Sequence, residues 1–190
     1  MVERRDLPLF AWGDALRARR RRAALLRVRA ALLAAGITCI GVTIAAPPAP
    51  RLVWNASASA PIGLYRVIPG DRPAAGDTVI AWLPTAPRAL AARRHYLPAN
   101  VPLVKRVVAG PGDSICARGP VITVNGYRMA IRRAADRAGR PMPWWSGCRT
   151  LHDRQLFLLM TASPDSFDGR YFGPSEARDL VGRATLLWAW

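Results

Sequence analysis

The chain has 190 residues, 51% of them hydrophobic, and a formal net charge of +16 from 28 basic and 12 acidic side chains. That length fits one domain plus an appendage. Its 17 prolines and 15 glycines exclude a fold of long helices and favour short strands joined by turns. Such a charge suggests nucleic acid or an anionic membrane, but the sequence has no zinc-finger spacing, phosphate-binding glycine loop or helix-turn-helix pattern.

The charge is unevenly spread. Residues 1–29 hold nine arginines against Glu3, Asp6 and Asp14, a balance of +6, with the run Arg19–Arg22 followed by Arg27 and Arg29. Residues 30–46 carry no charge and end at Pro47-Pro48. Such a run, about 25 Å long as a helix, is at the short end for a membrane span. Basic residues before it and none directly after it place the N-terminus in the cytoplasm and the rest of the chain outside. A cleaved signal peptide ending near Ala45-Ala46 is the competing reading. The long basic preamble favours a retained anchor.

A proline-rich linker, 47–51, leads into residues 52–190. Strands are expected at Leu64–Ile68, Thr78–Leu83, Val101–Val108, Ser114–Ala117, Val121–Val124, Gln155–Met160 and Ala184–Trp188. Turns at Pro69-Gly70-Asp71, Ala75–Asp77, Gly110–Asp113 and Asn125-Gly126 separate them, the last a hairpin signal. Short helical turns fit Pro87–Ala92 and Pro174–Asp179. Residues 128–147, with Trp144-Trp145, read as an inserted loop. The pattern is that of a mainly β domain behind a transmembrane helix. Cys39 falls in the span, whereas Cys116 and Cys148 flank the insertion and form a disulfide in an oxidising compartment. His95 and His152 belong to no spaced ligand set, so no metal or other cofactor is expected.

Three segments carry chemistry. In Asn55-Ala-Ser-Ala-Ser-Ala-Pro61, Ser57 and Ser59 sit two apart, so both hydroxyls of an extended chain face one side. Lys105 is the sole lysine beside 27 arginines and lies in an apolar run. Arginine cannot lose its proton in a protein, whereas a buried lysine can become neutral and activate a serine. In Ser166-Phe-Asp-Gly-Arg170, Ser166 can hold the lysine amine while Asp168 and Arg170 brace the site. The bland alternative is a linker, a strand-edge lysine and a surface ion pair.

Together these segments resemble the type I signal peptidases, membrane-anchored enzymes with a Ser-Lys dyad on a mostly antiparallel β-fold. Lys105-Arg106 and Pro111-Gly112-Asp113 match the lysine box Lys-Arg-x-x-Gly-x-Pro-Gly-Asp, with the glycine moved to 110. Ser166 to Gly173 matches Ser-x-Asp-Ser-Arg-x-x-Gly, with Gly169 replacing the second serine. Gly76-Asp77-Thr-Val79 is similar to the intermediate box. The nucleophile box departs: no Met follows the second serine and Pro61 falls one residue early. Asn-x-Ser-x-Ser-x-Pro-x-Gly-Leu-Tyr resembles instead the TraF-type branch, peptidases of conjugative transfer that mature a pilin precursor.

The resemblance implies that Ser59 is the nucleophile, Lys105 the general base and Ser57 the oxyanion-side hydroxyl, although the early proline keeps Ser57 open as nucleophile. It implies an inner-membrane endopeptidase facing the periplasm that cuts an exported precursor after small residues. Expected partners are that precursor, membrane lipid and other conjugation proteins, with no nucleic acid. Leu64-Tyr65 and Trp144-Trp145 either touch the membrane surface or pack in the core. A housekeeping signal peptidase and a non-catalytic, membrane-anchored component of a conjugation or secretion apparatus remain as alternatives.

Overall fold

A computed structural model describes residues 8–70 and 72–190. The start of the basic segment, with Glu3 and Asp6, and Asp71 of the Pro69–Asp71 turn lie outside the described residues. The chain divides into two units, one up to Pro48 and one from Ala49.

The first unit is a single helix, α1 (Pro8–Ala45). The helix does not begin with the apolar run. It continues N-terminally through the arginine block, because Ala, Leu and Arg are all good helix formers and no proline interrupts them. Its stretch Trp12–Ala45 is long and apolar enough to cross a membrane, and none of it is buried within the protein. Pro47 and Pro48 stop it.

The second unit is built from eleven strands: β1 (Leu52–Asn55), β2 (Gly63–Pro69), β3 (Thr78–Ala81), β4 (Leu103–Ala109), β5 (Ser114–Arg118), β6 (Val121–Val124), β7 (Tyr127–Ile131), β8 (Gly147–Thr150), β9 (Gln155–Leu159), β10 (Ser175–Glu176) and β11 (Leu180–Ala189). A seven-stranded sheet has the order β1-β2-β11-β3-β4-β9-β10, and a four-stranded sheet the order β7-β6-β5-β8. Every pairing is antiparallel. Helices α2 (Thr85–Arg93) and α3 (Gly169–Phe172) and a 3₁₀ turn at Ala177–Asp179 complete the fold.

All seven expected strands form, but the sheets contain four more. β1 lies at the start of the exported part, where no strand is expected, and β10 is only two residues long. The expected inserted loop, 128–147, opens in β7 and closes at the first residue of β8, and the stretch between them is irregular apart from a bridge between Ala135 and Pro141. Asn125 and Gly126 both take positive φ, +49° and +84°, and so join β6 to β7 by the tight hairpin turn their residue types favour. β8 is fully exposed, so it carries no alternating apolar signature. Its pairing with β5 and the Cys116–Cys148 disulfide between directly opposed residues hold it.

The core explains the paired tryptophans. Trp145 packs on the cluster of Ile115, Ile122, Leu151 and Phe157, edge-on to Phe157 at 6.1 Å. Trp144 lies under the Arg132 guanidinium at 4.2 Å. Tyr65 is buried. The core alternative therefore holds for Tyr65 and Trp145. The exposed aromatic surface lies elsewhere: Trp54, Trp188 and Trp190 are 46%, 55% and 84% exposed and touch one another at 5.8–6.4 Å.

Candidate active site

β4 buries Lys105, Val107 and Ala109 on one face and exposes Arg106 on the other, and Lys105 sits opposite Val79 of β3. Only 2% of Lys105 is exposed. Its Nζ donates to Ser166 Oγ at 2.7 Å and to Ser59 Oγ at 3.1 Å. Both partners are hydroxyls, which do little to hold a proton on the amine. Desolvation by burial pushes Lys105 from the ordinary 10.5 down to about 8; the Asp168 charge opposes this and Arg170 adds to it.

The serine loop, residues 56–62, leaves the end of β1 and returns into β2. Ser57 Oγ lies 3.0 Å from Ser59 Oγ and accepts the Ser59 backbone N–H at 3.3 Å. The two hydroxyls therefore share one side, but in a turn in which the Ala60 N–H reaches the Ser57 carbonyl at 3.4 Å rather than in the extended chain expected. Lys105 reaches Ser59, and no hydrogen bond joins it to Ser57.

Two residues to which the sequence assigned no role in the site hold this loop. Asn55 is buried, and its Nδ2 donates to the carbonyls of Ser57, Ala60 and Pro61 at 3.0–3.2 Å. Its Oδ1 accepts the Ser57 N–H at 3.1 Å. Tyr65 Oη donates to the Pro61 carbonyl at 2.9 Å. An Asn at a strand end, two residues before a serine, is the signature of a local side-chain-to-backbone turn and was the available signal. Gly63, at φ +153°, closes the loop where β2 meets β11; a Cβ there would stand 2.0 Å from the Trp188 carbonyl oxygen.

The third segment is not a surface ion pair. Asp168 and Arg170 are 0% and 1% exposed. Arg170 grips Asp168 with two parallel bonds, Nε to Oδ1 at 2.8 Å and Nη2 to Oδ2 at 3.0 Å. Asp168 also accepts the Met160 N–H at 3.0 Å, and Arg170 donates to the carbonyls of Pro164 and Met160, both at 2.9 Å. With every strong donor and acceptor satisfied, the pair fixes the turn that presents Ser166. Gly169 departs from the resemblance for a packing reason. A Cβ there would lie 2.8 Å from both the Leu158 carbonyl oxygen and the Phe157 ring. The Trp145 indole N–H also donates to the Gly169 carbonyl at 3.0 Å.

Ser59 and Lys105 open onto a groove of about 870 Å³. It is lined by the chain from Val53 to Ser59 and the chain from Val101 to Lys105, and its remaining wall comes from residues 163–167, 94–98 and 133–142. Tyr96 joins these last two segments by donating to Asp136, which also accepts from Arg140 Nε at 2.7 Å. Hydrogen bonds, above all from Tyr96, hold the Asp136 carboxyl well below the usual range. Asp165, next to Ser166, pairs with Arg133 at 2.5 Å and Arg137 at 3.1 Å and is likewise lowered, chiefly by Arg137. None of the four groove arginines was singled out in the sequence. His95 and His152 are exposed, and among the described residues no group of three His, Cys, Asp or Glu side chains could hold a metal.

Comparison with known proteins adds a family. Residues 24–190 match the model of the signal peptidase family, peptidase S26. A plasmid transfer protein TraF of Escherichia coli is 29% identical over 177 residues, covering 86% of this chain and 98% of that protein. A probable conjugal transfer protein TraF of Sinorhizobium fredii is 35% identical over 140 residues, covering 68% of this chain and 73% of its own. A solved signal peptidase I from Enterococcus faecalis aligns at 19% identity with a TM-score of 0.36, covering 60% of this chain and 98% of that one.

Proposed function

Because this chain belongs to the signal peptidase family, peptidase S26, we propose that it is a membrane-anchored serine endopeptidase in which Lys105 activates Ser59. The observation that carries this reading is the amine of the only lysine, buried and within hydrogen-bond reach of a serine hydroxyl at 3.1 Å. Neutral Lys105 accepts the Ser59 proton as Ser59 Oγ bonds to the scissile carbonyl carbon. The negative charge on the carbonyl oxygen is met by the Ser59 N–H and, after rotation, the Ser57 hydroxyl; one such donor is worth about 100- to 1000-fold in rate. The protonated Lys105 then gives its proton to the leaving amine as the C–N bond breaks. Lys105, neutral again, deprotonates the water that releases the acyl group. Ser166 keeps the amine aimed at Ser59, and the buried Asp168–Arg170 pair keeps Ser166 in place.

The substrate is an exported precursor cut after a small residue. An extended peptide fits between the flanking stretches 53–59 and 101–105 as an added strand. Relatives named for plasmid and conjugal transfer favour a precursor used in conjugation over a housekeeping signal sequence, and the TraF-type resemblance makes a pilin precursor the substrate to try. The uncharged end of α1, from residue 30 on, anchors the enzyme in the inner membrane, with the arginine block before it cytoplasmic and the catalytic unit periplasmic.

Co-expression of a pilin precursor with wild type, Ser59→Ala, Ser57→Ala and Lys105→Arg, read by the precursor's intact mass, tests the reading. Processing is expected with wild type, none with Ser59→Ala or Lys105→Arg, and slower processing with Ser57→Ala. Processing by Lys105→Arg at the wild-type rate, with none in cells lacking the protein, would refute lysine as base.

A further inference from the structure

The remaining wall of the groove carries a charge pattern that proton transfer at Ser59 does not use. Arg94 and Arg140 flank Asp136, at 3.8 and 2.7 Å. Arg133 and Arg137 flank Asp165, at 2.5 and 3.1 Å. Each cluster has two fixed positive charges around one carboxylate. All six side chains line the groove that holds Ser59, and among the described residues no other acidic side chain does. The wall therefore keeps a surplus of two positive charges when Lys105 is neutral.

The Asp136 cluster is also rigidly placed. Asp136 is only 8% exposed at its side chain and is held by the Tyr96 hydroxyl and by the backbone N–H groups of Ala138 and Arg140, both at 2.9 Å. Arg94 donates to the Pro141 carbonyl at 3.0 Å. These bonds tie the segment after α2 to the loop after β7, so Arg94 and Arg140 are carried on a braced wall. Arg137, at 91% side-chain exposure, stands out from it into solvent.

We propose that this arginine wall is a subsite for an acidic stretch of the precursor, so that the enzyme selects substrates with Asp or Glu side chains, or a terminal carboxylate, on one side of the scissile bond. This rests on the groove being the peptide-binding groove of a peptidase. It differs from selection for small residues at the cut, which acts next to Ser59. A basic precursor segment laid on the same wall meets like charge, so the subsite rejects as well as attracts.

The test uses the full chain in nanodiscs of zwitterionic lipid, with Ser59→Ala for binding and wild type for cutting. The probes are fluorescent peptides with Ala at the cleavage position and a block of three Asp, Lys or Ser placed before or after it. In one of the two placements the Asp peptide should bind at least about tenfold more tightly than the Lys peptide. Arg137→Glu reverses one charge, a change of two units, at a partly screened site and should weaken the Asp peptide about three- to tenfold, with Arg137→Gln intermediate. Raising salt from 0.05 to 0.5 M, which shortens the screening length from over 10 Å to about 4 Å, should erase most of the preference. Arg128→Glu is the control for the protein's overall positive field, because Arg128 is exposed on β7 and does not line the groove.

Equal binding of Asp and Lys peptides in both placements overturns the proposal. So does an Arg128→Glu effect as large as that of Arg137→Glu, or no binding of any peptide. The two readings fail separately. Cutting without charge preference sinks the subsite alone, and charge-selective binding without cutting by wild type sinks the peptidase reading alone.

Discussion

The acid limb of the pH–rate profile follows from where Lys105 sits. With its pKa at about 8, the neutral amine is about 1% of the total at pH 6, half at pH 8 and nearly all at pH 9.5. The kcat/KM for a small-residue peptide should therefore rise about 50-fold from pH 6 to pH 8 and only about twofold more to pH 9.5. A lysine left at its ordinary value would climb about tenfold per unit through that whole range. The same burial acts on stability. The folded-state pKa lies below the unfolded one, so the unfolded chain holds the extra proton between about pH 8 and 10.5. Below pH 8 the full cost of the buried amine is present, and it fades as pH rises through that window. The shift corresponds to about 3 kcal/mol. Lys105→Met, which abolishes activity, should stabilise the fold by roughly 1–3 kcal/mol at pH 7 and by little at pH 10.5, because it also forfeits two hydrogen bonds. Steady-state kinetics on purified wild type and urea unfolding of both proteins at the two pH values provide the readouts. A rate still climbing tenfold per unit at pH 9.5, or a limb centred near pH 6.5 as for a histidine base, would refute the reasoning.

Asn55→Ala removes the side chain that gathers three carbonyls of the serine loop; kcat should fall at least about tenfold with KM little changed, and stability should drop by about 1–3 kcal/mol on urea unfolding. Gly169→Ser, which restores the residue type of the resembling box, should destabilise by roughly 1–3 kcal/mol because its Cβ meets β9 at 2.8 Å, as a melting curve will show. Reducing the Cys116–Cys148 bridge, which spans 32 residues, should cost about 3–4 kcal/mol in the chain-entropy account and loosen Trp145, three residues away, from its bond to Gly169; denaturant curves with and without reductant measure it. Replacing Trp54, Trp188 and Trp190 together by Ala should weaken binding of residues 49–190 to lipid vesicles in a co-sedimentation assay, because clustered, exposed indoles favour the membrane interface.

Sequence read the strands best where local rules agree. β2, β4, β5 and β6 combine apolar patterning with turns at Pro69-Gly70, Gly110–Asp113 and Asn125-Gly126, and each formed within two residues of expectation. β8 could not be read that way, because backbone pairing and a disulfide hold it rather than a buried face. Lys105 stood out chemically as one amine among arginines, and the family boxes supplied Ser59 and Ser166. The distances between them, across 46 and 61 residues of chain, needed the fold. The groove wall stayed hidden for the same reason. Asp136 lies in an arginine-rich stretch that reads as a solvated loop, and its role depends on Tyr96, 40 residues earlier.

The most direct test of a Ser59–Lys105 dyad is to find the acyl group. Wild type would be mixed with excess peptide ester, quenched in acid within seconds, digested with trypsin and sequenced by mass spectrometry. Cleavage after Arg51 and Arg66 yields one peptide, Leu52–Arg66, whose only serines are Ser57 and Ser59. The account predicts an acyl adduct on Ser59, absent from Lys105→Arg. An adduct on Ser57, or continued ester turnover by Ser59→Ala at the wild-type rate, would contradict it.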